Sequence, residues 1–230
     1  MFAVLTLIAW TLIGYFVPQF LILPPLRLII GDAISQPFWE ALYEIIFYIV
    51  SVILTVFISH KFIKKWKTSR TELGLKNLPT WSDIGLAFVG FVAYLVLAFL
   101  LVKLFSLFPF FDANEVQETN YGPYLFGLNK VFAMIALVIA APVAEEVIFR
   151  GWLYGKLRAK IPGKLSLPIS ILIVSAIFGL LHDQLNVAVN VFAMSIVMCL
   201  MREFTGTIYS GILLHIIKNA VAFYLIFIMI

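Results

Sequence analysis

The sequence predicts an all-α fold, a polytopic membrane helical bundle of about seven or eight transmembrane helices. Hydrophobic residues make up 63% of the 230-residue chain and charged residues only 12%, whereas a soluble domain is about 45–50% apolar and about 25% charged. No soluble fold of this size hides so much apolar surface, so lipid is the expected solvent. Seven apolar stretches also come close to the roughly 17–25 residues that a helix needs to cross a bilayer.

The predicted spans cover most of the chain. In order, they are residues 1–26, 39–60, 84–102, 128–144, 165–181, 184–201 and 207–230. Pro24 and Pro25 are expected to end the first helix. This helix lacks the basic start of a cleavable signal peptide, so it is expected to be retained. The fourth helix is expected to continue beyond its charge-free part, past Arg150, until Pro162 and Gly163 break it.

Charged loops predict the topology, because basic residues mark the cytoplasmic side of a membrane protein. They follow the second and the fourth span: Lys61, Lys64, Lys65, Lys67 and Arg70, then Lys156, Arg158, Lys160 and Lys164. The loop after the third span instead holds Asp112, Glu115 and Glu118. We therefore expect a cytoplasmic N-terminus, an external C-terminus and seven crossings of the cell (plasma) membrane.

The predicted organisation has two parts. Residues 1–70 are expected to form two N-terminal helices with a basic cytoplasmic loop, and residues 71–230 are expected to form the core. The connector 71–83 is expected to lie at the membrane interface, with Trp81 at headgroup level. The net charge of +4 is modest and sits in loops, so the lipid bilayer is an expected partner and nucleic acid is not.

The fourth span ends in charged residues that lipid should not tolerate. A charge at the bilayer centre costs about 2.5–3.5 kcal/mol even on the lenient insertion scale, so such residues are candidates for function. Glu146 and Arg150 have the spacing of an ion pair on one helical face. Glu145 points about 100° away and would be available to react. A solvated helix end with a simple Glu–Arg pair is the alternative interpretation.

Two further spans carry polar pairs at helical spacing. Phe178 and His182 share a face of the fifth span, and His215 and Asn219 share a face of the seventh. A single histidine on an apolar helix is more often a packed residue than a catalyst. At a rise of about 1.5 Å per residue, however, Glu145 and these polar residues fall at similar depths in the membrane. We expect them to meet in a wet cavity.

These residue types suit the activation of a water molecule. That chemistry needs a base, an orienting partner and a stabiliser for the developing oxyanion. Glu145 would be the base and His182 would share the water, while His215 and Asn219 would hold the carbonyl oxygen. No cofactor is expected. Zinc is the alternative, with Glu145, His182 and His215 as ligands, although the H-E-x-x-H pattern is absent from the sequence.

Three motifs follow one another along the chain. They are Glu145-Glu146-x-x-x-Arg150, Phe178-x-x-x-His182 and His215-x-x-x-Asn219. In this order they resemble the CAAX-processing and bacteriocin-processing intramembrane proteases, which include the type II CAAX prenyl endopeptidases and the abortive-infection-like proteins. The resemblance covers about residues 70–225. The preceding residues match nothing specific.

The resemblance implies an intramembrane endopeptidase of the glutamate type. Carried over to this chain, Glu145 activates the water with the help of His182, and His215 and Asn219 form the oxyanion site. Glu146, Arg150 and Phe178 would be supporting residues. The substrate would be a peptide or a segment of a membrane protein.

Two other functions stay open. A non-catalytic bacteriocin-immunity or scaffold membrane protein of the same fold would keep the motifs for stability alone. A transporter or channel would use the same polar pocket as a pathway. Inverted repeats would favour a transporter, and the sequence contains no recognisable internal repeat.

Overall fold

The regular structure of the chain is helical throughout the part that a computed structural model describes, which is residues 2–30, 35–115, 121 and 125–229. Seven long helices lie in these ranges: α1 Phe2–Ile30, α2 Gln36–Phe62, α3 Trp81–Phe105, α4 Gly127–Lys160, α5 Ser166–Leu180, α6 Leu185–Thr205 and α7 Tyr209–Phe227. All except α5 are long and apolar enough to cross a membrane. The predicted all-α, multi-pass membrane fold is confirmed.

The end of α1 differs from the prediction. The helix continues through Pro24 and Pro25 to Ile30, so the expectation that these prolines end it was wrong. A π-helical segment, Pro18–Ile22, lies just before them. The two prolines therefore occupy the first turn of the following α-helical segment, where a missing N–H is tolerated.

The fifth predicted span, residues 165–181, agrees with helix α5 to within one residue at each end. Helix α5 has 15 residues, or about 22 Å at the usual rise of an α-helix. That length is below the roughly 30 Å thickness of the hydrocarbon core. The predicted total of seven full crossings therefore depends on a helix that is too short to cross by itself.

Four π-helical segments interrupt the long helices. They are Pro18–Ile22, Ile53–Ile58, Ile135–Ala140 and Glu146–Tyr154. In a π-helix each N–H bonds to the carbonyl five residues earlier, which widens the turn. Glu146 and Arg150 both lie in the fourth segment, and their predicted ion pair stays a prediction.

The described helices belong to two compact units that interleave along the sequence. The first unit consists of residues 1–69, 119–148 and 215–230, and the second of residues 70–118 and 149–214. The predicted division into residues 1–70 and 71–230 follows the order of the sequence and stays a prediction.

In the first unit, α2 packs against α1 and against the first half of α4. The interior combines small alanines with larger apolar and aromatic side chains, and two of its rings come from the end of α7. Its buried residues are Ala41, Tyr121, Leu125, Ala133, Ala136, Val138, Phe223 and Phe227. Small residues let membrane helices approach closely, where dispersion and hydrogen bonds hold them together. One such bond runs from the Trp10 indole Nε1 to the backbone oxygen of Thr55, at 3.1 Å.

In the second unit, α6 packs against α3 and α5. At the α5–α6 crossing, a Cβ added to Gly179 would lie 3.0 Å from the Ala188 carbonyl oxygen. Thr80 and Asp83 form a capping box at the start of α3, which satisfies backbone donors that the helix itself leaves unpaired. Near the C-terminal end of α6, Glu203 accepts a hydrogen bond of 2.7 Å from the Tyr154 hydroxyl.

Replacement of Gly14 should destabilise the first unit. The Cβ of an alanine at this position would collide with the Thr55 side chain and would lie 3.3 Å from its Cα. Overpacking of this kind costs about 1–3 kcal/mol, so Gly14→Ala should lower the thermal unfolding midpoint of the purified protein. Gly85→Ala is the matched control, because a Cβ there meets no atom within 4 Å. Equal midpoints for the two variants would contradict the close α1–α2 contact.

Candidate active site

A pair of buried carboxylates lies where the α-helical stretch Ala141–Glu145 of α4 passes into its π-helical segment. Glu145 is 6% exposed and Glu146 is fully buried. Adjacent residues on a regular helix point in different directions. Burial of both side chains therefore requires polar partners on more than one side.

His215 of α7 interacts with both carboxylates. Its Nδ1 lies 3.1 Å from Oε1 of Glu146, and its Nε2 lies 3.8 Å from Oε2 of Glu145. The first distance is a hydrogen bond and the second is too long to be one. The ring is 4% exposed. Donation from Nδ1 to Glu146 fixes its orientation and directs Nε2 towards Glu145.

Tyr48 of α2 is a fourth member of this group. Its hydroxyl donates a hydrogen bond of 2.8 Å to Oε1 of Glu145. The two oxygens of Glu145 therefore have different neighbours, a phenol at Oε1 and an imidazole at Oε2. Tyr48 is not among the residues predicted for the site.

The sequence contains a pattern that includes Tyr48: a polar residue stands at every fourth position of this apolar helix. Gln36, Glu40, Glu44 and Tyr48 have this spacing, which places them along one face of α2. Tyr121, which precedes α4, faces the same stripe. Burial raises the pKa of its hydroxyl, and the nearby Glu44 carboxylate raises it further.

Asn219 lies one turn beyond His215 on α7, and its amide reaches the backbone of α4. Its Nδ2 donates a hydrogen bond of 2.8 Å to the carbonyl oxygen of Leu137, within the π-helical segment Ile135–Ala140. The amide nitrogen carries two hydrogens, so this bond uses one and leaves the second able to serve another acceptor. Lys218, the preceding residue, interacts electrostatically with Glu145.

The remaining predicted site residues lie within the second unit. The Arg150 guanidinium lies over the Phe178 ring, with its Cζ 4.3 Å from the ring centroid. The His182 ring packs edge-on against Phe178 at 5.4 Å between centroids. The structure thus brings Arg150, Phe178 and His182 together. Their union with the Glu145 group in one catalytic site stays a prediction.

The backbone of α5 sets the tautomer of His182. Its Nδ1 lies 2.9 Å from the Phe178 carbonyl oxygen, one of the carbonyls in the last turn that lack a partner within the helix. A carbonyl only accepts, so Nδ1 carries the proton. In the neutral ring, Nε2 then has the lone pair.

A metal was the chemical alternative for this site. Among the described residues, no group of three or more His, Cys, Asp or Glu side chains is placed to hold a metal ion. Within the first unit, Glu146 and Glu145 face different nitrogens of the His215 ring. Two ring nitrogens point away from each other, so this arrangement suits hydrogen bonding to both sides of the ring better than coordination of one ion. The zinc set of Glu145, His182 and His215 stays a prediction.

The first unit also contains an apolar groove next to Tyr48, with a volume of about 430 Å³. It lies between α2 and α4 and is lined by Ile45, Tyr48, Ile49, Val52, Ile53, Phe57, Ile139, Ala140, Val143, Ala144 and Val147. Tyr48 contributes one face of its ring to the groove while its hydroxyl reaches Glu145. The carboxylate therefore has an apolar surface on the far side of the tyrosine.

The helices and this buried group define a multi-pass helical membrane protein with a polar glutamate–histidine site. Residues 127–221 match the family model of the Type II CAAX prenyl endopeptidase Rce1-like proteins. This segment contains all seven predicted site residues, and the predicted family resemblance is confirmed for it. Comparison with curated proteins and with solved structures finds no significant match.

Proposed function

We propose that the protein is an intramembrane endopeptidase that hydrolyses peptide bonds with water activated by Glu145. The arrangement of Glu145, Glu146 and His215 is the observation that carries this proposal. Oε2 of Glu145 and Nε2 of His215 lie side by side, 3.8 Å apart. A tetrahedral intermediate has two oxygens, one from water and one from the substrate carbonyl. At this spacing, each of these oxygens can lie next to one of the two polar atoms.

In the proposed reaction, Oε2 of Glu145 takes a proton from water while the water oxygen attacks the carbonyl carbon. The carbonyl oxygen becomes an oxyanion and accepts hydrogen bonds from Nε2 of His215 and from the amide of Asn219. Glu145 then passes its proton to the amide nitrogen, and the C–N bond breaks. The products are a carboxylate and an amine.

The other motif residues would support this step. Nδ1 of His215 already donates to Glu146. Donation from Nε2 therefore requires the imidazolium form, whose charge Glu146 balances. Nε2 of His182 would take the role of holding the attacking water that the motif order predicts for this residue. Arg150 and Phe178 would position His182, because the Phe178 ring packs against both of them.

The proposed setting is the cell membrane, with the N-terminus in the cytoplasm. The basic clusters after α2 and at the end of α4 support this orientation. Proposed substrates are peptides or membrane-protein segments that reach the site from the lipid. A CAAX-type C-terminal peptide is one such substrate, since the family that residues 127–221 match processes these peptides.

The test is cleavage by the purified protein in lipid nanodiscs. Three peptides would be compared by mass spectrometry: a farnesylated CAAX peptide, the same peptide without the lipid, and a peptide of one hydrophobic membrane helix. We expect cleavage of at least one at a single internal bond. Full-length recovery of all three would favour the non-catalytic immunity or scaffold alternative.

Chelation should leave this activity intact. Catalysis by a glutamate-activated water needs no metal, so the rate after dialysis against a strong zinc chelator should stay within about twofold of the untreated rate. Loss of activity that added Zn²⁺ restores would contradict the proposal. It would favour a zinc-bound water, whose acidity the metal increases directly.

A further inference from the structure

Tyr48 lies outside the segment that matches the family, on a helix for which the sequence predicted no role in the site. Nevertheless it contacts the reacting group directly, because its hydroxyl donates to Oε1 of Glu145 at 2.8 Å. The adjacent Phe47 ring, which is buried, packs edge-on against the Tyr48 ring, at 4.9 Å between centroids. The phenol thus has a packing contact on its ring and a hydrogen bond at its hydroxyl.

The hydrogen bond distinguishes the two oxygens of Glu145. A carboxylate without partners can rotate about its last bond and present either oxygen, since this torsion is broad. The Tyr48 hydroxyl occupies Oε1, and Oε2 remains on the side of His215. A base must be within hydrogen-bond reach of the proton that it removes, so the choice of oxygen decides whether the water lies beside the oxyanion donors.

We propose that Tyr48 is a positioning residue that holds Glu145 so that Oε2 acts as the base beside His215. This inference rests on the proposed hydrolytic function. It gives α2 a role in the active site, although α2 lies outside residues 127–221. The active site then needs a side chain from the N-terminal part of the chain, and the matched segment alone is incomplete.

Tyr48 also lines the apolar groove between α2 and α4. The Tyr48 ring is part of the apolar wall, and its hydroxyl is directed to the carboxylate. Tyr48 therefore contributes to the apolar lining of the groove and to the polar contact of Glu145 at the same time.

Tyr48→Phe removes the hydroxyl and keeps the ring, so it separates positioning from packing. With a peptide that the wild type cleaves as substrate, we expect kcat to fall about tenfold, close to the loss of one hydrogen bond to a charged group. KM should not change, because the ring still fills its place, and the thermal unfolding midpoint should fall only slightly, because a single hydrogen bond is lost. The matched control is Tyr43→Phe on the same helix, where the ring packs against Trp39. This variant should cleave like the wild type.

The outcomes separate this inference from the proposed function. Wild-type kcat in Tyr48→Phe, together with an inactive Glu145→Gln variant, would overturn the role of Tyr48 and leave the hydrolytic site standing. A fall in kcat accompanied by a matching rise in KM and a lowered midpoint would show a structural role and also overturn it. Activity in Glu145→Gln, or no cleavage by the wild type, would overturn both.

Discussion

Glu145→Gln should abolish peptide cleavage. The amide of glutamine has nearly the same shape as the carboxylate and its oxygen can still accept the Tyr48 hydrogen bond, but it cannot take a proton from water. General-base catalysis contributes roughly 10²–10⁴-fold to a rate, so we expect a loss of at least about a hundredfold in kcat. The measurement is the initial rate of cleavage in nanodiscs, with product quantified by mass spectrometry.

The control for this loss is Glu115→Gln, the same chemical change at an exposed position in the second unit. It should leave the rate unchanged. The Glu145→Gln protein should also unfold at a temperature close to that of the wild type, since no hydrogen bond is lost. A variant that cleaves at more than about a tenth of the wild-type rate would show that another group activates the water.

Glu146→Ala should be among the most destabilising single substitutions in the chain. Glu146 is fully buried and accepts a hydrogen bond from Nδ1 of the buried His215. Removal of one partner from a buried polar pair leaves the other without compensation, at a cost of roughly 3–5 kcal/mol. The unfolding midpoint should therefore drop strongly, and cleavage should be lost because His215 is no longer oriented.

Glu146→Gln tests whether the hydrogen bond or the charge matters. The glutamine oxygen can accept from Nδ1 of His215 as the carboxylate does, so most of the stability should return. Cleavage should stay low, because the negative charge that balances the His215 imidazolium is gone. If Glu146→Ala unfolds at the wild-type temperature, the pair does not stabilise the first unit. If Glu146→Gln is fully active, the charge of Glu146 has no part in catalysis.

The helical fold follows from the sequence because lipid imposes a simple rule. Backbone groups in a bilayer must bond within their own segment, so long apolar runs become helices. The predicted spans 39–60 and 84–102 correspond to α2 Gln36–Phe62 and α3 Trp81–Phe105. Extension of the fourth helix beyond Arg150 was also correct, since α4 continues to Lys160.

Details of the helices were not predictable at this level. Hydropathy registers how apolar a segment is and carries no information on whether its hydrogen bonds reach four or five residues back. The π-helical segment Glu146–Tyr154 was therefore missed, as was the passage of α1 through Pro24 and Pro25.

The candidate site, like the fold, was predicted only in part from the sequence. Glu145, Glu146 and His215 were found because charged and imidazole groups are costly in lipid, and the structure brings them together. Glu146 also contacts His215, which the motif spacing did not predict, and its predicted ion pair with Arg150 stays a prediction. Tyr48 was missed because tyrosine is common in membrane helices, so its spacing of four residues from Glu44 did not mark it as part of the site. Partners that lie 97 positions apart in sequence cannot be paired by local spacing.

Hydrolysis by a glutamate-activated water is tested most directly by a single turnover in ¹⁸O-labelled water. Purified protein in molar excess would cleave the farnesylated CAAX peptide once. Mass spectrometry would then give the mass of the product that carries the new C-terminal carboxylate. If the Glu145 carboxylate acts as a base, the attacking oxygen comes from water and the product carries one ¹⁸O atom. An unlabelled carboxylate from this first turnover would mean that a protein oxygen attacked the carbonyl instead, which would contradict the proposed role of Glu145.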